Sequence, residues 1–224
     1  GARLPTGGAC GDDDKSDGAA FCDVASKFAA SQPDEKVFDE AIAAAEGKTK
    51  TDVENLKSAF GKAVAVPDDM GFLTDEFREA YAEGVTAITD ECGYDTVDIG
   101  ASEYALTGLD PKGAGITALR LENTGSELHE MLVYRRAKTD SDDLVAIVND
   151  NPGVDDGRLE EIGVTLPVEK GEETYILANL TKGDYVAVCF INQGITTRAD
   201  IRKELPEETK DHRSLGMITQ FSVG

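Results

Sequence analysis

The sequence predicts two kinds of structure in succession, a small bundle of helices and then a β-sandwich. Up to Gly93 the apolar residues recur with the spacing of amphipathic helices. After Gly93 they alternate with a period of two or form short runs separated by Gly and Asp. We therefore expect a multidomain α + β chain, with a flexible tether over 1–17, a helical bundle domain over 18–93 and a β-sandwich domain over 95–224.

Four helical segments are expected in the first half, and each carries one apolar stripe. They run over 19–30, from Asp34 to a stop at Gly47, from a capping box of Thr51 and Glu54 to Pro67, and from a cap at Thr74 to Gly93. Stripes of this kind are buried when the helices pack on one another, so we expect an antiparallel bundle. The half contains no histidine and no evident catalytic carboxylate pair. It is typical of a spacer or an interaction module.

The second half contains several short strand signals. Alternation occurs at 97–99 and 119–121, continuous apolar runs cover 131–134, 175–180 and 185–191, and one helical insertion is expected near 140–149. Short strands with Gly and Asp turns favour a β-sandwich, and the continuous runs suit central strands with two buried faces.

Composition excludes several classes of partner. The 224 residues include 22 Lys and Arg against 44 Asp and Glu, which gives a formal net charge of −22. Binding to a phosphate backbone depends on clustered cationic side chains, so nucleic acid is not an expected partner. An anionic membrane surface is not an expected partner either, for the same reason, and no apolar run is long enough to span a bilayer.

Cys10 lies at a junction that resembles a bacterial lipobox. Small residues, Gly7 to Ala9, precede it, and a hydrophilic run over 11–17 follows. The departure from the pattern is Gly7, which stands where Leu is usual. The resemblance implies an exported chain whose only membrane contact is a lipid anchor at Cys10. The alternative interpretation is a leader added by cloning and followed by a flexible tail.

Cys22 and Cys92 are placed where a disulfide could join two helices. Cys22 lies in the first helical segment, and Cys92 directly precedes the stop at Gly93. Closing a loop of this length removes about 4 kcal/mol of chain entropy from the unfolded state. Such a bond persists in an oxidising compartment, so we expect an extracytoplasmic protein, periplasmic or at the cell surface. Two independent buried thiols are the alternative.

The most specific pattern lies in the second half, which contains both histidines of the chain. The motifs, in order, are Asn123-Thr-Gly-Ser-Glu-Leu-His129, Gly183-Asp-Tyr185-Val-Ala-Val-Cys189 and His212-Arg-Ser-Leu-Gly-Met217. They resemble the cupredoxin family, the small blue copper proteins, whose pattern is Asn-x-Gly-x-x-x-His, then Gly-x-Tyr-x-x-x-Cys, then His-x-x-x-x-Met. The resemblance covers about residues 95–224 and implies a cupredoxin-like Greek-key β-sandwich.

The resemblance also implies a type 1-like site for one copper ion. His129, Cys189 and His212 would be the ligands in a plane, and Met217 would be a distant axial ligand. Two imidazoles, a thiolate and a thioether accommodate both Cu(I) and Cu(II). The implied function is electron transfer or copper handling in the cell envelope, with a redox or envelope protein as partner. Zinc suits a Cys and His set as well, but the Met favours copper.

Two further residues are implied around the site. Asn123 would be the outer residue whose amide ties the ligand loops together. Glu130 stands where many cupredoxins have Asn or another small polar residue, and its carboxylate either bonds within the site or faces solvent. With both histidines assigned to the metal, none remains as a general base, so the pattern favours a carrier over an enzyme.

The main departure from the family is the long loop over 190–211. Between Cys189 and His212 lie 22 residues, against a handful in small cupredoxins. The loop is either a lid or docking element beside the site, or a sign that the geometry has relaxed and that metal is no longer held. The competing hypothesis is therefore a metal-free binding or structural module that engages an envelope protein through the helical half and this loop.

Overall fold

The structure is a computed structural model, which describes residues 14–29, 34–137, 143–150 and 157–224. Cys10 and most of the expected tether lie outside these ranges. The first helix begins at Asp14, inside the range assigned to the tether. Among the described helices, none combines the length and the apolar character that a membrane span needs.

The first half consists of helices, as predicted. In order they are α1 (Asp14–Ala25), a 3-10 helix (Ser26–Ala29), α2 (Glu35–Ala44), α3 (Gly47–Val64), a second 3-10 helix (Pro67–Leu73) and α4 (Asp75–Cys92). The Asp34 carboxylate accepts the N–H of Val37 at 2.9 Å, and the Thr74 hydroxyl accepts that of Phe77 at 3.3 Å. Thr74 is the cap predicted for α4, and Asp34 caps the helix that was predicted to run from that residue. The chain leaves α4 through Gly93, whose φ of 64° is left-handed.

The predicted capping box of Thr51 and Glu54 is wrong. α3 begins at Gly47, about one turn earlier. The Thr51 hydroxyl instead donates to the Gly47 carbonyl at 3.4 Å. Lys48, in the additional turn, forms an ion pair of 2.6 Å with Asp52. The i,i+4 spacing of this pair favours the longer helix.

The second half is a β-sandwich, as predicted. Its strands are β1 (Asp95–Ser102), β2 (Ala105–Thr107), β3 (Gly115–Asn123), β4 (Leu132–Arg136), β5 (Leu159–Val164), β6 (Glu173–Leu180), β7 (Gly183–Val188) and β8 (Ile218–Val223). One sheet has the order β2-β1-β3-β6 and the other β5-β4-β7-β8. The pair β1–β3 is parallel, and the other ladders between these strands are antiparallel. The side chains between the two sheets form the main core.

The helical bundle packs on the outer face of the first sheet. Ala118 of β3 and Tyr175 and Leu177 of β6 belong to the same apolar cluster as the helices. Both faces of β6 are therefore buried, which accounts for its continuous apolar sequence. A disulfide joins Cys22 of α1 to Cys92 of α4, as predicted, with the two Cα atoms 5.5 Å apart.

The expected helical insertion corresponds to α5 (Leu144–Asp150) in the described residues. Its buried side chains are Leu144, Ile147 and Val148. They form a third apolar cluster with residues of β4, β5 and β7, on the second sheet. Helices thus pack on the outward faces of both sheets.

Candidate metal centre

The three motifs of the sequence converge through backbone hydrogen bonds. Cys189 directly follows β7, and its N–H donates to the carbonyl of Met217, which directly precedes β8. The Met217 N–H in turn donates to the His212 carbonyl at 2.9 Å. His129 reaches the same place from the connection between β3 and β4, where it pairs with Val168. The strand pairing of the sandwich therefore fixes all four residues.

The side chains of His129, Cys189 and His212 form one cluster. The two imidazole Nδ1 atoms lie 3.2 Å apart, and the Cys189 sulfur lies 3.5 Å from Nδ1 of His212. Ligand atoms of all three residues lie within 4.8 Å of one another. None of the three side chains has exposed surface, and Met217 is also wholly buried.

This geometry fits a bound metal ion. Two imidazole nitrogens that each lie about 2 Å from one ion are themselves roughly 3 to 3.5 Å apart, which matches the separation of the Nδ1 atoms. A donor set of two imidazoles and one thiol, with a thioether nearby, suits copper better than a hard cation. The cluster could therefore hold one copper ion.

Burial keeps all three groups uncharged in the metal-free protein. It raises the pKa of the Cys189 thiol to about 12, and the nearby Glu130 carboxylate adds to this. Burial lowers the pKa of His129 to about 4, helped by the adjacent His212 ring. It also lowers the pKa of His212, against the opposing effect of Glu127. At neutral pH each neutral imidazole has a lone pair for a metal, and Cys189 must lose its proton when metal binds.

With His129, Cys189 and His212 gathered in its core, the sandwich is cupredoxin-like. No protein-family model matches the chain, and no curated protein matches it significantly. A solved structure that it resembles is the dithionite-reduced auracyanin of Roseiflexus castenholzii, with 19% identity over 58% of this chain and 96% of that chain, and a TM-score of 0.35. Another is auracyanin A of Chloroflexus aurantiacus, described as a "blue" copper protein, with 17% identity over 42% and 85% of the two chains, and a TM-score of 0.30. Both TM-scores are low, so the copper assignment depends on the side chains described above.

Asn123 links the segments that surround His129. Its side-chain amide donates to the carbonyls of Glu127 at 2.7 Å and of Val168 at 2.8 Å, and its oxygen accepts the N–H of Gly125 at 2.8 Å. Val168 is the residue that pairs with His129. The amide therefore holds the turn before His129 against the backbone that fixes His129 itself.

Glu130 lies inside the site region. Burial raises the pKa of its carboxyl group to about 7, and the backbone N–H of Phe190 opposes this shift. The backbone N–H groups of Glu130 and Ile191 contact the Cys189 sulfur, where they would stabilise a thiolate. The sulfur thus has two backbone donors beside it as well as a neighbouring carboxyl group.

Two carboxylates near the histidines were missed by the sequence analysis. Nε2 of His212 lies 2.8 Å from the Glu127 carboxylate, and Nε2 of His129 lies 3.5 Å from that of Glu103. The only sequence signal was the position of Glu127, two residues before His129 in the same turn. Glu103 is separated from His129 by 26 positions in the numbering, so its proximity depends on the fold.

The loop over 190–211 leaves the ligand geometry intact. Asn192 and Asp211 pair at its neck as an isolated antiparallel bridge. Next to this bridge, the His212 N–H donates to the Ile191 carbonyl at 2.8 Å. The chain therefore leaves and re-enters at one point, and His212 returns beside Cys189 whatever the length between them.

The same loop is anchored to the helical half by Arg198. Its guanidinium pairs with Asp75 in the first turn of α4 and with Glu172 in the turn before β6. Its backbone N–H donates to the Glu169 carboxylate at 3.0 Å. Arg198 is only 8% exposed, and its pair with Glu172 is shielded from solvent, whereas the Asp75 side chain is 70% exposed. A second, exposed pair joins Arg202 to Asp68.

Proposed function

We propose that this chain is an electron-transfer protein that carries one copper ion at His129, Cys189 and His212. The observation that carries the proposal is the convergence of two imidazole nitrogens and one thiol within 4.8 Å in the buried core. A bound copper ion supplies one-electron exchange between Cu(I) and Cu(II) at such a site.

Burial of the ligands favours a carrier over a catalyst. A catalytic metal site keeps a coordination position open to substrate. Here the three ligand side chains and Met217 have no exposed surface. A substrate has no direct approach to the ligand cluster, whereas an electron can pass through a thin layer of protein.

The surrounding backbone supports fast electron exchange. The bonds from Cys189 to Met217, from Met217 to His212 and from His212 to Ile191 hold each ligand in a packed framework. Side chains fixed in this way move little when the charge at the centre changes by one. The protein's part in the reaction is therefore to keep the two imidazoles and the thiolate in one arrangement in both oxidation states.

Voltammetry of the copper-loaded protein tests electron transfer. We expect one reversible one-electron wave that persists through repeated cycles with copper retained. Cys189→Ser is the matched control, since it keeps the size of the side chain and removes the thiolate. Loss of copper to a chelator during each reduction would contradict electron transfer and indicate copper carriage instead.

We further propose that the protein works outside the cytoplasm, where another redox protein of the cell envelope is its partner. The disulfide between Cys22 and Cys92 supports this location, because such bonds persist in oxidising compartments. Thiol titration of exported protein tests it: Cys22 and Cys92 should be unreactive until a reductant is added.

Mass analysis of the peptide that contains Cys10 tests the lipid anchor, and an unmodified Cys10 in protein recovered from an exporting bacterium would contradict it.

A further inference from the structure

The outer edge of His212 is covered by a carboxylate. Glu127 Oε2 lies 2.8 Å from Nε2 of His212, a normal hydrogen-bond distance. His212 itself has no exposed surface, and the Glu127 side chain is 17% exposed. The imidazole is therefore enclosed between the Cys189 sulfur on its inner side and Glu127 on its outer side.

Glu127 is itself held in place from three directions. The Glu103 carboxylate accepts the backbone N–H groups of Ser126 and Glu127, each at 2.6 Å. Asn123 binds the Glu127 carbonyl at 2.7 Å. The ring of Tyr104 lies 5.0 Å from the His212 ring, and its hydroxyl is 3.5 Å from the Glu127 carboxylate. The acceptor on His212 is thus part of a supported turn.

The Glu103 carboxylate holds this turn through several contacts to one oxygen atom. Its Oε1 accepts the two backbone N–H groups and lies 3.3 Å from the Ser126 hydroxyl oxygen. The turn at 126–127 is therefore tied to Glu103 at three donors.

A carboxylate oxygen accepts a hydrogen bond from a ring N–H. The 2.8 Å contact with Glu127 therefore favours a hydrogen on Nε2 of His212, which leaves the lone pair on Nδ1. That lone pair faces the Cys189 sulfur at 3.5 Å and Nδ1 of His129 at 3.2 Å. The Glu127 carboxylate, which lies outside the ligand cluster, thus sets the tautomer of His212. Nδ1 of His212 is then available to a metal ion in the metal-free protein.

We propose that Glu127 is a positioning residue that fixes His212 in its Nε2–H tautomer, with Glu103 fixing the turn that carries Glu127. This inference rests on the proposed metal site, in which Nδ1 of His212 is a ligand atom. Glu127 lies within the first sequence motif, at a position that the family pattern leaves unspecified. The consequence is a site that binds metal without first moving a proton between the two ring nitrogens.

Nitrogen NMR of the metal-free protein tests the proposal. The chain has only two histidines, so the ring nitrogens of each can be assigned in a ¹⁵N-labelled sample. We expect His212 to carry its hydrogen on Nε2. In Glu127→Gln, whose amide can either donate or accept, the two tautomers should mix, and in Glu127→Leu the Nδ1–H form should appear. Glu207→Gln, at an exposed position in the loop over 190–211, is the control and should leave the spectrum unchanged.

Titration with Cu(I) against a competing chelator provides a second readout. Loss of an outer hydrogen-bond partner weakens metal binding by about 10- to 100-fold, which is the expected effect of Glu127→Leu. A wild-type His212 with its hydrogen on Nδ1, or a tautomer unchanged in both variants, would overturn the proposal. If the tautomer responds as expected but the wild type binds no Cu(I), the proposed function fails while the positioning role of Glu127 stands.

Discussion

Asn192 and Asp211 pair across the neck of the long loop that separates the second and third ligand motifs. Because of this bridge, the geometry of the metal site does not depend on the length of the loop. The loop makes its ion pairs to Asp75 and Asp68 on the far side of the bridge. Its contacts with the helical half can therefore change without displacing His212.

Arg198→Met should destabilise the fold more than it disturbs the site. It would leave Glu172 without its main partner in a shielded place, which costs about 3 kcal/mol when a buried pair is broken. Arg202→Met is the control. Its side chain is 56% exposed, so a loss of at most about 1 kcal/mol is expected.

Denaturant unfolding measures both changes, and the visible spectrum of the copper form should be the same in the two variants. Equal destabilisation by the two substitutions would contradict the anchoring role of Arg198. A shifted copper spectrum in Arg198→Met alone would show that the bridge does not insulate the site.

Gly84→Ala should destabilise the contact between α3 and α4. A Cβ atom at this position would lie 2.8 Å from Cδ2 and 3.1 Å from Cβ of Leu56. The helices must separate or Leu56 must change rotamer, at a cost of roughly 1 to 3 kcal/mol. Gly61→Ala in α3 is matched to it, because a Cβ there meets no atom within 4 Å.

We expect Gly61→Ala to be neutral or to stabilise α3 by up to about 1 kcal/mol, since Ala has the higher helix propensity. Thermal unfolding of the two variants compares them directly. Similar melting temperatures for both would show that α3 and α4 are less closely packed at Gly84 than the structure indicates.

Removing the disulfide should weaken the helical half without abolishing metal binding. The double variant Cys22→Ala and Cys92→Ala releases a constraint between residues 70 positions apart, which corresponds to about 4 kcal/mol in the chain-entropy description. Cys189 is a separate, buried thiol, so the copper spectrum should be retained. Unfolding of the metal-free protein gives the free-energy change. A variant as stable as the wild type would contradict a constraining role for this bond.

The cluster of His129, Cys189 and His212 was predictable because histidine is rare in this chain. With only two histidines present, a match of both to one ordered pattern was informative. In the structure Cys189 directly follows β7 and Met217 directly precedes β8. The cap at Thr74 was predictable for a local reason, since a cap involves residues three positions apart.

The carboxylates beside the histidines and the anchoring of the long loop were not predictable, because they depend on contacts between distant segments. Carboxylates are abundant here, 44 in all, so composition does not distinguish Glu103 and Glu127, which the fold places beside the imidazoles. The same is true of Arg198, whose partner Asp75 lies 123 positions away. The start of α3 was missed because the capping pattern at Thr51 competed with the Lys48–Asp52 ion pair one turn earlier.

We propose that His129, Cys189 and His212 hold one copper ion. Titration of the reduced protein with Cu(I), followed by mild oxidation and a visible spectrum of the wild type and of Cys189→Ser, tests this proposal. We expect one equivalent bound and an intense visible band that depends on the Cys189 thiolate. No binding, or binding that is the same without Cys189, would contradict it.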